Sequence, residues 1–150
     1  MIRFLHPVAG VVAMATISTF IVLTLRGEMA GDATAILAAK TAIAEGLWLL
    51  VPTMAVLALT GRRLGAGSDD PRVAAKRRRM RIVQANGLLV LLPTALILHR
   101  LAAAGSFDLT YMLLQGVELI AGPANLFLLA LSFRDGLVLA GRLRRCRRAN

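Results

Sequence analysis

The polar positions of this chain gather in a few places, and long apolar runs lie between them. The runs cover residues 5–25, 33–60, 82–104 and 109–133. Each is long enough for the roughly 20 residues that a helix needs to cross a bilayer. None alternates strictly between apolar and polar, and all are rich in Leu and Ala, which predicts helices and not the strands of a membrane β-barrel. Residues 26–32 predict a short polar turn, with Asp32 as the N-cap of the second helix. Gly105-Ser106-Phe107-Asp108 predicts the equivalent turn between helices three and four. The connection 61–81 is longer. It holds Gly61, Gly65, Gly67 and Ser68, then Asp69-Asp70-Pro71. Asp70 before Pro71 reads as an N-cap and first helical position. The third helix is therefore expected to begin near Pro71 and to reach about 50 Å to Ala103. The pattern as a whole predicts one all-α integral membrane domain, a four-transmembrane-helix bundle of two hairpins joined by the 61–81 loop.

Composition agrees with that pattern. Of 150 residues, 57% are hydrophobic and 17% charged, with a mean hydropathy of +0.70. Soluble domains carry about 25% charged residues. The apolar content excludes intrinsic disorder, and the single cysteine excludes a disulfide scaffold. The net charge of +10 gives the expected orientation. Arg3, eight cations of the middle loop and six of the tail 134–150 make fifteen of the 18 Lys and Arg residues. They all fall on one side of a four-span layout, while Arg26, Lys40 and Arg100 lie toward the other. Cations are retained on the cytoplasmic side, so both termini and the middle loop are expected there: N-in and C-in. The first span, though preceded by Arg3, is longer than a signal-peptide core and lacks a clear cleavage site, so it is expected to stay attached.

Arg62, Arg63, Lys76, Arg77, Arg78, Arg79 and Arg81 in the loop, with Arg142, Arg144, Arg145, Arg147 and Arg148 in the tail, read as topology determinants that meet anionic headgroups. No aromatic interleaving or recognition module accompanies them, so nucleic acid is not an expected partner. Cys146 lies among tail arginines and reads as a free thiol with no metal set. No P-loop, nucleophile elbow, zinc-protease or dinucleotide motif is present, so no catalytic residue is assigned and a non-enzymatic role is expected.

Ionisable residues inside spans are costly and by default point to function. Measured from span midpoints, Glu45 and Glu118 lie within about 5 Å of the membrane centre, and Lys40 and His99 about 10 Å toward the outer side. Helices two, three and four are thus expected to share an intramembrane cluster of Lys40, Glu45, His99 and Glu118. Asn86 and Asn125 are expected to pair in the inner half. On the fourth helix Tyr111, Gln115, Glu118, Gly122, Asn125 and Ser132 follow steps of three, four and seven, one polar and small stripe along one face. In lipid such a stripe must face other helices or a water-filled cavity. Helix–helix contact is the favoured reading, with Glu118 protonated or paired with Lys40. A proton or ligand path is the alternative. On the second helix Thr41, Glu45, Trp48, Pro52 and Ala55 lie on one side.

His6 and His99 raise the possibility of haem. They are roughly 25 Å apart along the membrane normal on rise arithmetic, so they do not clamp one haem within one chain. No cofactor is therefore expected, with haem or quinone kept as the lesser alternative.

Several segments add a resemblance: Leu5-His6-Pro7, Lys40-Thr41-Ala42-Ile43, Ala74-Ala75-Lys76-Arg77-Arg78-Arg79-Met80, Ala85-Asn86-Gly87 and Arg134-Asp135-Gly136-Leu137. Over most of its length the chain resembles an uncharacterised group of small four-span bacterial inner-membrane proteins. The resemblance implies a bacterial inner-membrane location. It implies no activity, so no functional residue is carried over from it. The leading functional expectation is association, with a second copy or another membrane subunit, as an accessory subunit or assembly factor. A small transporter or proton-conducting protein using Glu118, Glu45, Lys40 and His99 is the alternative.

Overall fold

A computed structural model describes residues 2–67, 71–139 and 141. Among them every regular element is helical. The elements are α1 (Ile2–Ala30), α2 (Ala33–Gly65), α3 (Pro71–Asn86), a π-helical segment (Gly87–Leu91), α4 (Leu92–Ala103) and α5 (Leu109–Leu139). Four stretches are long and apolar enough to cross a membrane: Phe4–Ala30, Ala33–Gly65, Val73–Ala103 and Leu109–Val138. The third span is α3, the π segment and α4 in continuous succession, as the start at Pro71 predicts. Asp70 lies outside the described residues. The helices outrun the apolar runs because a helix needs only unbroken backbone hydrogen bonding, and Arg-rich ends satisfy that in water as well as in lipid. At about 50 Å, α2 exceeds the ~30 Å hydrocarbon core and projects beyond it.

The π segment has a local cause. Pro93 has no N–H, and its ring crowds the carbonyl four residues back. The ladder widens one step earlier, where the Leu92 N–H reaches the Gly87 carbonyl. This gives the wider turn the proline requires without ending the helix.

The first connection is shorter than the pattern predicts. Residues 26–30 are helical, and only Gly31 and Asp32 join α1 to α2. Gly31 has φ +66°, the left-handed conformation that a Cβ penalises. Asp32 caps α2, accepting from the Thr34 amide at 3.4 Å and from its hydroxyl. The Thr34 hydroxyl, and then its amide, hold the Asp32 carboxyl below the usual carboxylate range. The second turn closes α4 with a Schellman motif: Ser106 N–H donates to Leu101 O at 2.9 Å and Gly105 N–H to Ala102 O at 3.1 Å, with Gly105 at φ +66°. Asp108 then caps α5 by accepting from the Tyr111 amide at 3.1 Å.

The helices form an antiparallel ring. α1 packs on α2 and α5, α2 on α3 and α4, and α5 also on α3, the π segment and α4. Two small apolar cores sit at opposite ends. One joins Ala9, Ala13, Ile17, Leu57 and Leu129, nearer the end bearing the α2–α3 connection, here the loop end. The other joins Ile36, Leu98, Ala102 and Tyr111 near the two short turns, the turn end. Between them lie the buried polar side chains.

Candidate functional site: a buried ion pair beside a lateral cavity

Lys40 is the largest of the fully buried side chains, 1% exposed. A buried ammonium without a partner is very costly, and here Glu118 supplies one across the bundle. Lys40 Nζ donates to Glu118 Oε2 at 2.5 Å, and the Thr24 hydroxyl of α1 donates to the same oxygen at 3.3 Å. The carboxylate thus ties α1, α2 and α5 at one depth. No donor among the described residues takes Glu118 Oε1.

The polar face of α5 points inward. Tyr111, Gln115, Gly122, Asn125 and Ser132 are all buried, and Glu118 is 13% exposed. About two turns toward the turn end, the Tyr111 hydroxyl donates to Glu28 Oε1 at 2.6 Å. Gln115 lies between them with neither its oxygen nor its nitrogen hydrogen-bonded among the described residues. Such a buried amide costs the fold about 1–3 kcal/mol. Ser132 bonds only to its own helix, donating to Leu128 O at 2.9 Å. Toward the loop end, Asn86 Nδ2 donates to Asn125 Oδ1 at 3.3 Å and to Ala121 O at 3.2 Å.

Of the four-residue cluster expected from depth, the structure brings together only Lys40 and Glu118. Glu45 is exposed on the outside of α2, beside Ala42, Trp48 and Leu49. It lies five residues from Lys40, which places it about 140° around the helix, and α2 turns Lys40 inward. Thr41 aside, which is half-buried, the α2 stripe through Glu45, Trp48, Pro52 and Ala55 is exposed. His99 is half-buried on α4 and has no hydrogen bond or ion pair among the described residues. His6 sits at the opposite end, with Nδ1 2.8 Å from Thr60 Oγ1. The Thr60 hydroxyl donates to Val56 O at 2.7 Å, which leaves its oxygen to accept from the imidazole.

The basic loop divides into two sets. Arg62, Arg63, Arg78 and Arg81 are exposed. Three others take part in the fold. Arg77 donates to the Gly65 carbonyl at 2.8 Å, capping the C-terminus of α2. Arg79 pairs with Asp135 of α5, and Lys76 is half-buried against Gly136. Arg142, Arg144, Arg145, Cys146, Arg147 and Arg148 lie outside the described residues. Among the described residues, no group of three His, Cys, Asp or Glu side chains has metal-binding geometry.

Sequence reasoning missed Thr24, Glu28, Thr60 and Asp135 as partners. Thr24 had no distinguishing signal in an apolar run. Glu28 has one: it lies at the same end of the bundle as Tyr111, but within residues 26–32, where the pattern predicts a turn and the structure continues α1.

A cavity of about 330 Å³ adjoins the ion pair. Thr24, Gln84, Glu118 and Asn125 are its only polar lining residues; the rest are apolar or glycine. Its wall is open for a definable reason. α2 approaches α4 toward the turn end and α3 toward the loop end, but not the π segment between them. Val51 of α2 and Leu88 of the π segment, both exposed, flank the mouth.

Compared with known proteins, the chain matches no protein-family model, no curated protein and no solved structure.

Proposed function

We propose that this chain is a non-enzymatic protein of a bacterial inner membrane that works by association, as a homo-oligomer or as a small subunit or assembly factor of a larger complex. The observation that carries this reading is Glu45. It lies about 6 Å along the axis from the middle of α2 and faces away from the bundle. A carboxyl group in contact with acyl chains at that depth is costly, and intramembrane ionisable residues normally face protein. A second helix covering the face of Ala38, Ala42 and Glu45 removes that cost. The two alanines let it approach closely, and a polar group on it satisfies the carboxyl. Extraction from native membranes in mild detergent is expected to yield a species heavier than the monomer, and Glu45→Leu to shift it toward the monomer. A strictly monomeric protein with no co-purifying partner overturns the reading.

The location and orientation rest on charge and on the resemblance to small four-span bacterial inner-membrane proteins. Exposed Arg62, Arg63, Arg78 and Arg81 gather at the loop end, against Arg26 and Arg100 at the turn end. Cation retention then puts the loop end and both termini in the cytoplasm. A topology reporter fused after Asn150 is expected to read cytoplasmic; a periplasmic signal reverses the assignment.

A further inference from the structure

We propose that the lateral cavity binds an uncharged, hydroxylated lipid whose hydroxyl donates to Glu118 Oε1 while its chain runs out between α2 and the π segment. Three observations lead there. The first is position: the mouth lies at mid-span, between Val51 and Leu88, so it opens toward acyl chains and a ligand enters from the lipid. The second is chemistry. Glu118 lines the cavity and Lys40, its partner, does not. The pair is neutral as a whole, so a cationic ligand competes with Lys40 for a carboxylate already matched, and an anionic one meets Glu118 first. An uncharged donor fits, because Oε2 is taken by Lys40 and Thr24 while Oε1 has no donor among the described residues. Seven residues along the same face, Asn125 Oδ1 accepts from Asn86 Nδ2, and no acceptor among the described residues takes the Asn125 Nδ2. The cavity thus holds an acceptor at Glu118 and, about 10 Å along α5, a donor at Asn125, in an otherwise apolar lining. The third is size. At the ~30 Å³ of one liquid water per atom, about 330 Å³ holds roughly eleven non-hydrogen atoms. That is room for one polar group and one chain segment.

The floor of the cavity provides the variant. An added Cβ at Gly122 meets only Ile21 Cγ1, at 3.8 Å, so a larger side chain there grows into the space. The test uses the full chain in phosphatidylcholine vesicles with a photoreactive alcohol of about ten carbons, sized to the cavity. Adducts are located by peptide mass spectrometry. They are expected within 47–58, 87–92 and 118–125. Unlabelled alcohol is expected to compete about tenfold better than the alkane, the carboxylate or the trimethylammonium compound of equal length, the factor that one hydrogen bond to a charged group supplies. Gly122→Leu is expected to cut labelling about tenfold. Glu118→Leu alone strands Lys40, so the paired Lys40→Met/Glu118→Leu chain is used, and it is expected to lose the preference for alcohol over alkane. Adducts spread evenly over lipid-facing Leu25, Ile120 and Phe127 overturn the proposal. So does equal competition by the alkane, which marks the cavity as an ordinary acyl-chain crevice, or undiminished labelling of Gly122→Leu. If the paired variant does not fold, the competition series and Gly122→Leu still decide.

Discussion

Lys40→Met is expected to destabilise the bundle by about 3–5 kcal/mol, the cost of stranding one member of a buried ion pair. The side chain is 1% exposed and its ammonium reaches Glu118 Oε2 at 2.5 Å. Methionine fills nearly the same volume, so the loss reports the charge and not a cavity. What remains is a carboxylate with Thr24 as its one donor among the described residues, in an apolar bundle. Removing both charges together has a different outcome. Lys40→Met/Glu118→Leu takes away two desolvated ions, and exchange of a buried pair for packed apolar residues is neutral or stabilising in many proteins. The double variant is therefore expected to recover most of the loss. Unfolding in mixed detergent, followed by the fluorescence of the single Trp48, measures all four members of the cycle. Additive losses rule out a coupled pair, and a stable Lys40→Met chain shows that Lys40 does not depend on Glu118.

The same pair marks how far residue spacing leads. Four spans, the short turns with Asp32 and Gly105, and the third helix starting at Pro71 are all written in local pattern, because apolar length and capping chemistry are local properties. The inward face of α5 is legible for the same reason: Tyr111, Gln115, Glu118 and Asn125 repeat at helical spacing, and a polar stripe in lipid has to turn toward protein. Rotation of the neighbouring helices is not local. Lys40 and Glu45 are both ionisable residues inside one apolar span, yet α2 turns one to the core and the other outward. What selects that rotation is the packing of Ile36 on Leu98, Ala102 and Tyr111, the pairing of Lys40 with Glu118 and the burial of Ile43, which no window of α2 contains. The π segment is a middle case. Pro93 announces a disturbed ladder, but whether the helix kinks, breaks or widens depends on what packs beside it. Only the assembled ring shows that α2 stays away from Gly87–Leu91 and leaves a cavity there.

Gly27→Leu is expected to cost about 1–3 kcal/mol or more, because it wedges apart a crossing that has no freedom to yield. A Cβ on Gly27 meets Ala39 Cβ at 3.0 Å, and Ala35 O and Ile36 Cα both at 3.4 Å. Two of these three atoms are α2 backbone. The connection from α1 to α2 is Gly31 and Asp32 alone, so α2 cannot swing away at that end without unwinding its cap. Any separation also moves Lys40, one helical turn past Ile36, away from Glu118. Two other glycines separate this mechanism from a general dislike of substitution. At Gly46 the built Cβ comes within 2.5 Å of Phe20 Cε1, but the obstacle is a half-buried ring, and side-chain rotation is cheaper than backbone movement. Gly46→Ala is therefore expected to lose less. An added Cβ at Gly116 meets nothing among the described residues within 4 Å apart from its own helix backbone, so Gly116→Ala gains helix propensity with no clash and is expected to match or exceed the parent. Thermal melts in one detergent should rank Gly116→Ala first, then the parent, Gly46→Ala and Gly27→Leu. A Gly27→Leu protein that melts with the parent shows that the α1–α2 crossing is looser than these distances, and that the depth of Lys40 is not fixed by it.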